Sequence, residues 1–149
     1  MHAEGTFEVH RDRGAVFAFF TSAHDLVDCL DDPHTVEVSD PTHFLGTVTT
    51  GVAFIRGVFR MTGEYTEVRH PDRVSAKIHG TGLGSGVDAV VVTDLSEGTG
   101  GSTAVHWTAD LTFSGPVATL GERVIRGTVD KKAQALFENA RRRLEGGSS

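Results

Sequence analysis

Eight histidines, one cysteine, a few strand carboxylates and a run of glycines are the residues of this chain whose types suit chemistry. Histidine acts as a general base or a metal ligand only where a second group is held within reach. His10, His24, His34, His43, His70, His79 and His106 are scattered along the chain. No His-x-His pair or His/Cys/carboxylate cluster has ligand spacing, so no metal site is expected. Gly80-Thr81-Gly82-Leu83-Gly84-Ser85-Gly86 has the glycine content of a phosphate loop. It lacks the following lysine and joins two strand patterns instead of opening a helix, so it reads as a flexible rim loop. Asp88 and Asp110 are the strand carboxylates nearest Trp107, and by alternation they, His79 and His106 fall on the face opposite its indole. No acid–base pair emerges, and no catalytic residue is expected. Cys29 has no partner for an internal disulfide and sits in the apolar stretch 26–30, as a buried structural thiol would.

Composition narrows the classes further. At 149 residues, with 38% hydrophobic and 23% charged residues, the chain is expected to form one domain over 1–149 with its core at about 5–145. No stretch is apolar for the roughly 20 residues a membrane span needs, and residues 1–5 lack the features of a secretory signal. A cytoplasmic location follows as the expectation. Net charge is −6, yet unevenly placed: residues 1–55 hold two arginines against nine carboxylates, whereas 116–149 hold seven basic groups against four acidic ones. That local excess is too small for a nucleic-acid reader.

The elements that would position a site are strands in the middle and helices at the ends. Residues 6–11 alternate as a first strand. Asp12 then caps a helix over 13–20, and Ser22, with Asp25 three residues on, caps a second over 22–30. Short strands follow at about 35–39, 43–50, 53–68, 73–80, 86–96 and 102–114, broken by Asp40-Pro41, Pro71-Asp72, 80–86 and 98–101. Hairpin-sized links make this α+β chain an antiparallel meander of seven strands, one face of which needs an apolar cover. Ser114-Gly115-Pro116 opens the cover, a long helix running to about Leu144. Its stripe of Ala118, Ile125, Val129, Ala133, Leu136, Ala140 and Leu144, flanked by Phe137, is expected to lie on the sheet.

Strand alternation defines what the helix meets. Ala53, Ile55, Gly57, Phe59, Met61, Gly63 and Tyr65 share one face, as do Val105, Trp107, Ala109, Leu111 and Phe113. Small residues at Gly57, Gly63, Ala89 and Ala109 interrupt the bulky ones, which either leaves a pocket beneath the helix or lets neighbours fill it as core. The expected cavity lining is Ile55, Gly57, Phe59, Met61, Tyr65, Ala89, Val91, Trp107, Ala109, Leu111, Ile125 and Val129. Val117, Leu120 and Val124 fall on the opposite side of the same helix, near Gly115, Gly121 and Gly127 and the basic residues Arg123, Arg126, Lys131 and Lys132. They are expected to gate the pocket, to touch an anionic membrane transiently, or to be covered by a loop or by a second copy in a homodimer.

The chain resembles the START and birch-pollen-allergen-like helix-grip superfamily, and within it the family of the G-type accessory subunits of carbon monoxide dehydrogenase, over about 5–145. The resemblance rests on Gly5-Thr6-Phe7, Val16-Phe17-Ala18-Phe19, Asp28-Cys29-Leu30, Gly57-Val58-Phe59, Gly80-Thr81-Gly82, Ser114-Gly115, Leu120-Gly121, Gly127-Thr128-Val129-Asp130-Lys131-Lys132 and Leu136-Phe137-Glu138-Asn139. It implies a helix-grip fold, a curved seven-stranded sheet wrapped around the C-terminal helix with two short helices between strands 1 and 2. It further implies an apolar cavity and an accessory, non-catalytic role beside a molybdenum-containing hydroxylase. No cofactor is implied beyond a bound quinone or lipid. Longer relatives carry a membrane-directed tail, whereas this sequence ends Gly146-Gly147-Ser148-Ser149, which implies peripheral contact with the inner membrane face in place of permanent anchoring. Three readings remain: a carrier of a lipophilic ligand, a polyketide-cyclase- or hydratase-like enzyme using the same cavity, and a pure assembly module.

Overall fold

The structure, a computed structural model, describes residues 1–146. Its elements are β1 (His2–Val9), α1 (Arg13–Phe20), α2 (Ala23–Val27), β2 (His34–Asp40), β3 (His43–Val52), β4 (Ile55–Arg69), β5 (Arg73–Gly82), β6 (Ser85–Glu97), β7 (Thr103–Ser114) and α3 (Glu122–Glu145). Short 3₁₀ turns occupy Thr99–Gly101 and Gly115–Leu120. The sheet is antiparallel throughout in the order β1-β7-β6-β5-β4-β3-β2, so strands 2 to 7 form the meander and β1 closes against β7. The expected caps are in place. The Asp12 carboxylate accepts from the Ala15 amide at 3.1 Å, and Ser22 Oγ accepts from the Asp25 amide at 3.3 Å.

Alternation on β1 and β7 places Val9, Val105 and Phe7 beside Val16, Phe17 and Phe20 of α1 and Leu144 of α3, which seals one end of the sheet. A second patch forms where α3 crosses β1 and β7. There Phe137 stacks on Trp107 with ring centroids 4.8 Å apart, over Ala3 and Ala109. Tyr65 ties the sheet to α1: its hydroxyl donates to the Phe20 carbonyl at 3.1 Å, and burial pushes the phenol up to about 12. Cys29 is buried and free, its thiol raised to about 11, first by burial.

Four expectations change at the element ends. The first strand starts earlier, at His2. Ala53 is not a strand residue, because the β3–β4 turn falls on Ala53 and Phe54. The 80–86 segment is no flexible loop: β5 and β6 pair through Gly82 and Ser85, leaving only Leu83 and Gly84, both at positive φ (54° and 76°), as a tight two-residue hairpin. The long helix does not begin at Pro116. Gly121, at φ 90° and ψ 153°, breaks the chain between the 3₁₀ turn and α3. The turn itself docks on the β5–β6 hairpin, where the Val117 amide donates to Ser85 Oγ at 3.0 Å and the Val117 side chain is buried. Val117 therefore does not share a helical surface with Leu120 and Val124, and Ala118 is exposed instead of facing the sheet.

Two outcomes are expected. Tyr65→Phe leaves the Phe20 carbonyl unpaired in the core and should cost about 1–3 kcal/mol in urea unfolding with an unchanged m-value; a variant as stable as the parent would contradict that role. His34 sits at the start of β2, where hydrogen bonds to the Asp32 carbonyl and then to the Asp28 carboxylate raise its imidazole above 6.5. A raised folded value stabilises the protein fully below the unfolded value near 6.5, and the contribution is lost as pH rises through the folded value. His34→Gln should thus be least stable relative to the parent in mildly acidic buffer, the gap closing above neutrality. A gap that widens with pH would show the opposite sign.

Candidate functional site: a half-covered concave face

Cross-strand register decides which side chains share the concave face. Ala109 pairs with Ala3 and Val91, Leu111 with Ala89, Ala89 with Ile78, Gly63 with Ile78, and Met61 with Gly80. Phe59 and Gly57 continue the row opposite Val48 and Thr50. The twelve expected lining residues separate into two groups. Tyr65, Trp107, Ala109 and Ile125 are buried in the packed half. Ile55, Gly57, Phe59, Met61, Ala89, Val91, Leu111 and Val129 remain half-exposed despite pointing inward or lying on α3. The face is thus sealed at the α1 end and open toward the β3–β4 and β5–β6 turns.

The small residues shape this open half, though not as voids beside the strands. A Cβ at Gly57 would stand 2.9 Å from the Leu83 side chain, and one at Gly63 would run into the Phe44 ring. Gly80 and Gly82 are likewise covered by Met61 and Phe59. Bulky side chains lie flat over glycines, carpeting the sheet instead of standing up from it. Ala109 belongs to the packed patch under Phe137.

Of the three gate residues, Val117 is buried, Leu120 is half-buried and Val124 is 43% exposed. Sequence reasoning missed what surrounds Val124. A groove of about 650 Å³ runs between α3 and the edge of the sheet, bordered by Leu30, Asp32, Gly51, Val124, Gly127 and Lys131 among others. Its floor is held by Asp32, which accepts from Lys132 Nζ at 2.8 Å and from Thr50 Oγ1 at 3.0 Å. Burial pushes the Asp32 carboxyl up, but those two bonds and the nearby cations outweigh it and hold the group below its usual range. Residue 132 lies a hundred positions from residue 32, a relation no local pattern reveals. Sequence reasoning also missed the turn tip Phe54, 84% exposed, which with Leu83, 51% exposed, lies at the open end of the sheet.

The convex face gathers the histidines. His79 Nδ1 meets Asp88 at 2.7 Å, His2 meets Asp110 and Glu4 at 2.8 Å, and His43 meets Asp40 at 2.9 Å. Hydrogen bonds to Asp110 and to Asp40 raise His2 and His43 respectively, and the His43 contact helps bring Asp40 down to about 2. A shallow groove of about 550 Å³ passes over His43, Glu64, Lys77, His79 and Asp88. These groups are about half exposed, so water screens them and gives the pairs no dry site in which to act. Among the described residues no group of three or more His, Cys, Asp or Glu could hold a metal ion, and no helix is long and apolar enough to cross a membrane.

Solved structures share this architecture. A conserved protein from Geobacillus kaustophilus superimposes with a TM-score of 0.88 at 19% identity, over 97% of this chain and 95% of that one. A START superfamily protein from Mycobacterium smegmatis gives 0.76 at 11% identity over 97% of each chain. The Zhui aromatase/cyclase from a Streptomyces species gives 0.68 at 14% identity, covering 96% of this chain and 94% of that one. At these identities the likeness is one of fold, and it places the chain among helix-grip proteins. No curated protein matches the chain in sequence. The model of the CoxG family, the G-type accessory subunits of carbon monoxide dehydrogenase, matches residues 5–145, nearly the whole sequence, and the chain belongs to that family.

Proposed function

We propose that this protein is a non-catalytic accessory that holds an apolar small molecule, quinone- or lipid-like, between the open half of the sheet and α3, in the service of a molybdenum-containing hydroxylase of the CO-dehydrogenase type. The single observation that supports it most is the half-exposed inward row of Ile55, Phe59, Met61, Ala89 and Val91. Apolar surface directed into a concavity yet left unpacked is what an apolar ligand removes from water, at about 25 cal/mol per Å². The hydroxylase as partner is supported by the family's name alone. A cyclase-like reading would require ionisable groups in the cavity, and the histidine–carboxylate pairs lie on the other face.

The open rim supports membrane contact as the loading route. Phe54 and Leu83 project at adjacent turn tips, and Arg56 and Arg123 are exposed nearby in a chain whose net charge is −6. Exposed aromatic and aliphatic tips ringed by arginine suit the interface of an anionic bilayer. Leu83 is held at φ 54°, a conformation that favours Gly or Asn and costs a branched side chain about 1 kcal/mol or more.

Both parts are testable. Ala89→Phe should enter the open concavity and weaken binding of a neutral apolar fluorophore at least tenfold with little change in Tm; unchanged binding would remove the cavity from the reading. Leu83→Asn should raise stability by up to about 1 kcal/mol, because Asn-Gly suits the turn, while Phe54→Asp with Leu83→Asn should abolish sedimentation with anionic vesicles. Equal sedimentation of parent and variant would rule out the rim as the contact.

A further inference from the structure

Gly127 is the least explained residue of α3. A glycine inside a helix costs about 1 kcal/mol relative to alanine. It is tolerated where φ is positive or a neighbour approaches closely, and neither condition holds here: its φ is not positive, and an added Cβ would meet nothing within 4 Å. What the missing side chain leaves open is the groove beside α3. Arg123, Gly127 and Lys131 follow one another at four-residue steps, so the two cations stand about 6 Å along the axis on either side of the bare position. Both border the groove, and neither forms an ion pair among the described residues, whereas its two acids are engaged: Asp32 by Lys132 and Thr50, Asp31 by the Asn139 amide at 2.9 Å. Beside the cations the groove is apolar, lined by Leu30, Val124 and Leu136.

We infer that this groove binds an amphipathic anion, a single aliphatic chain whose carboxylate or phosphate head sits over Gly127 between Arg123 and Lys131 while the chain lies against Leu30, Val124 and Leu136. The inference rests on the proposed apolar-ligand role and sharpens it, since a neutral quinone would leave the two cations without a counterpart. The volume of about 650 Å³ is within the range of small-molecule sites. Long flexible cations converging on one point recognise charge, and the apolar wall recognises the chain.

The test uses delipidated full-length protein, with cis-parinaric acid and its uncharged methyl ester as fluorescent probes. The acid should bind the parent at least tenfold more tightly than the ester. Arg123→Gln with Lys131→Gln should erase that preference while leaving ester binding within about twofold. Gly127→Leu should raise or preserve Tm and weaken acid binding at least tenfold. Competition by palmitate and by lysophosphatidate then identifies the head, carboxylate or phosphate. Equal binding of acid and ester by the parent, a preference that survives the double substitution, or undiminished acid binding by a folded Gly127→Leu would each overturn the anionic site. If neither probe binds the parent, the apolar-ligand reading itself fails, a result distinct from loss of the acid preference alone.

Discussion

Seven strands spaced about 4.8 Å apart make a sheet about 29 Å across, whereas a helix with its side chains is only about 10 Å wide. An antiparallel sheet with one apolar face has to remove that face from water, and α3 can cover two or three strands of it. It covers β1 and β7, where Phe137 meets Trp107 and Phe7. The pair α1 and α2 closes the end near Val9, Tyr65 and Val105. What is left, the inner surface of β4 to β6 toward the open turns, has no helix of its own. The gap between sheet and helix is thus a consequence of the ratio of element widths, and the residues there decide only its depth and contents.

Those residues make it shallow over the strands and deep beside the helix. Phe44, Met61, Phe59 and Leu83 lie across Gly63, Gly80, Gly82 and Gly57, so each glycine lets a larger neighbour lie flat and the sheet surface stays smooth and apolar. On the helix side Gly127 has no neighbour to accommodate. The two uses of glycine have opposite energetic signs. On the strands the lost side chain is replaced by contacts from the next strand, whereas on α3 nothing offsets the loss of helix propensity.

Much of this was legible in the sequence where the determinant is local. Asp12 and Ser22 are short-range caps, and strand alternation placed His79, His106, Asp88 and Asp110 away from Trp107, where the structure has them. The failures have non-local or backbone causes. The helix start was misplaced at Pro116 because a proline at a first position is a local signal, while the break at Gly121 and the burial of Val117 against Ser85 depend on a contact across 32 residues. The Ala53-Phe54 turn carries no Gly, Pro, Asn or Asp, so alternation ran through it and hid the most exposed aromatic of the rim. The groove beside α3 could not be read at all, since it depends on the 30–32 segment and the second turn of α3 being brought together by the fold.

The same geometry explains why the two ends of α3 differ. Toward Leu144 the helix is held by Val9, Val16 and Phe20, and by Arg11 and Asn139, which bond to carbonyls outside their own elements at 2.9 Å. Toward Glu122 it begins without a side-chain cap after a residue at φ 90°, and Val124 and Gly127 present almost nothing to the sheet. Local stability follows packing, so the first turns of α3 are the part of the helix that opens at the smallest free-energy cost. That half borders both the groove and the turn tips Phe54 and Leu83. An apolar molecule passing from a membrane surface into the gap would therefore displace the least stable part of the cover and leave the Trp107–Phe137 stack, on which the fold depends, undisturbed.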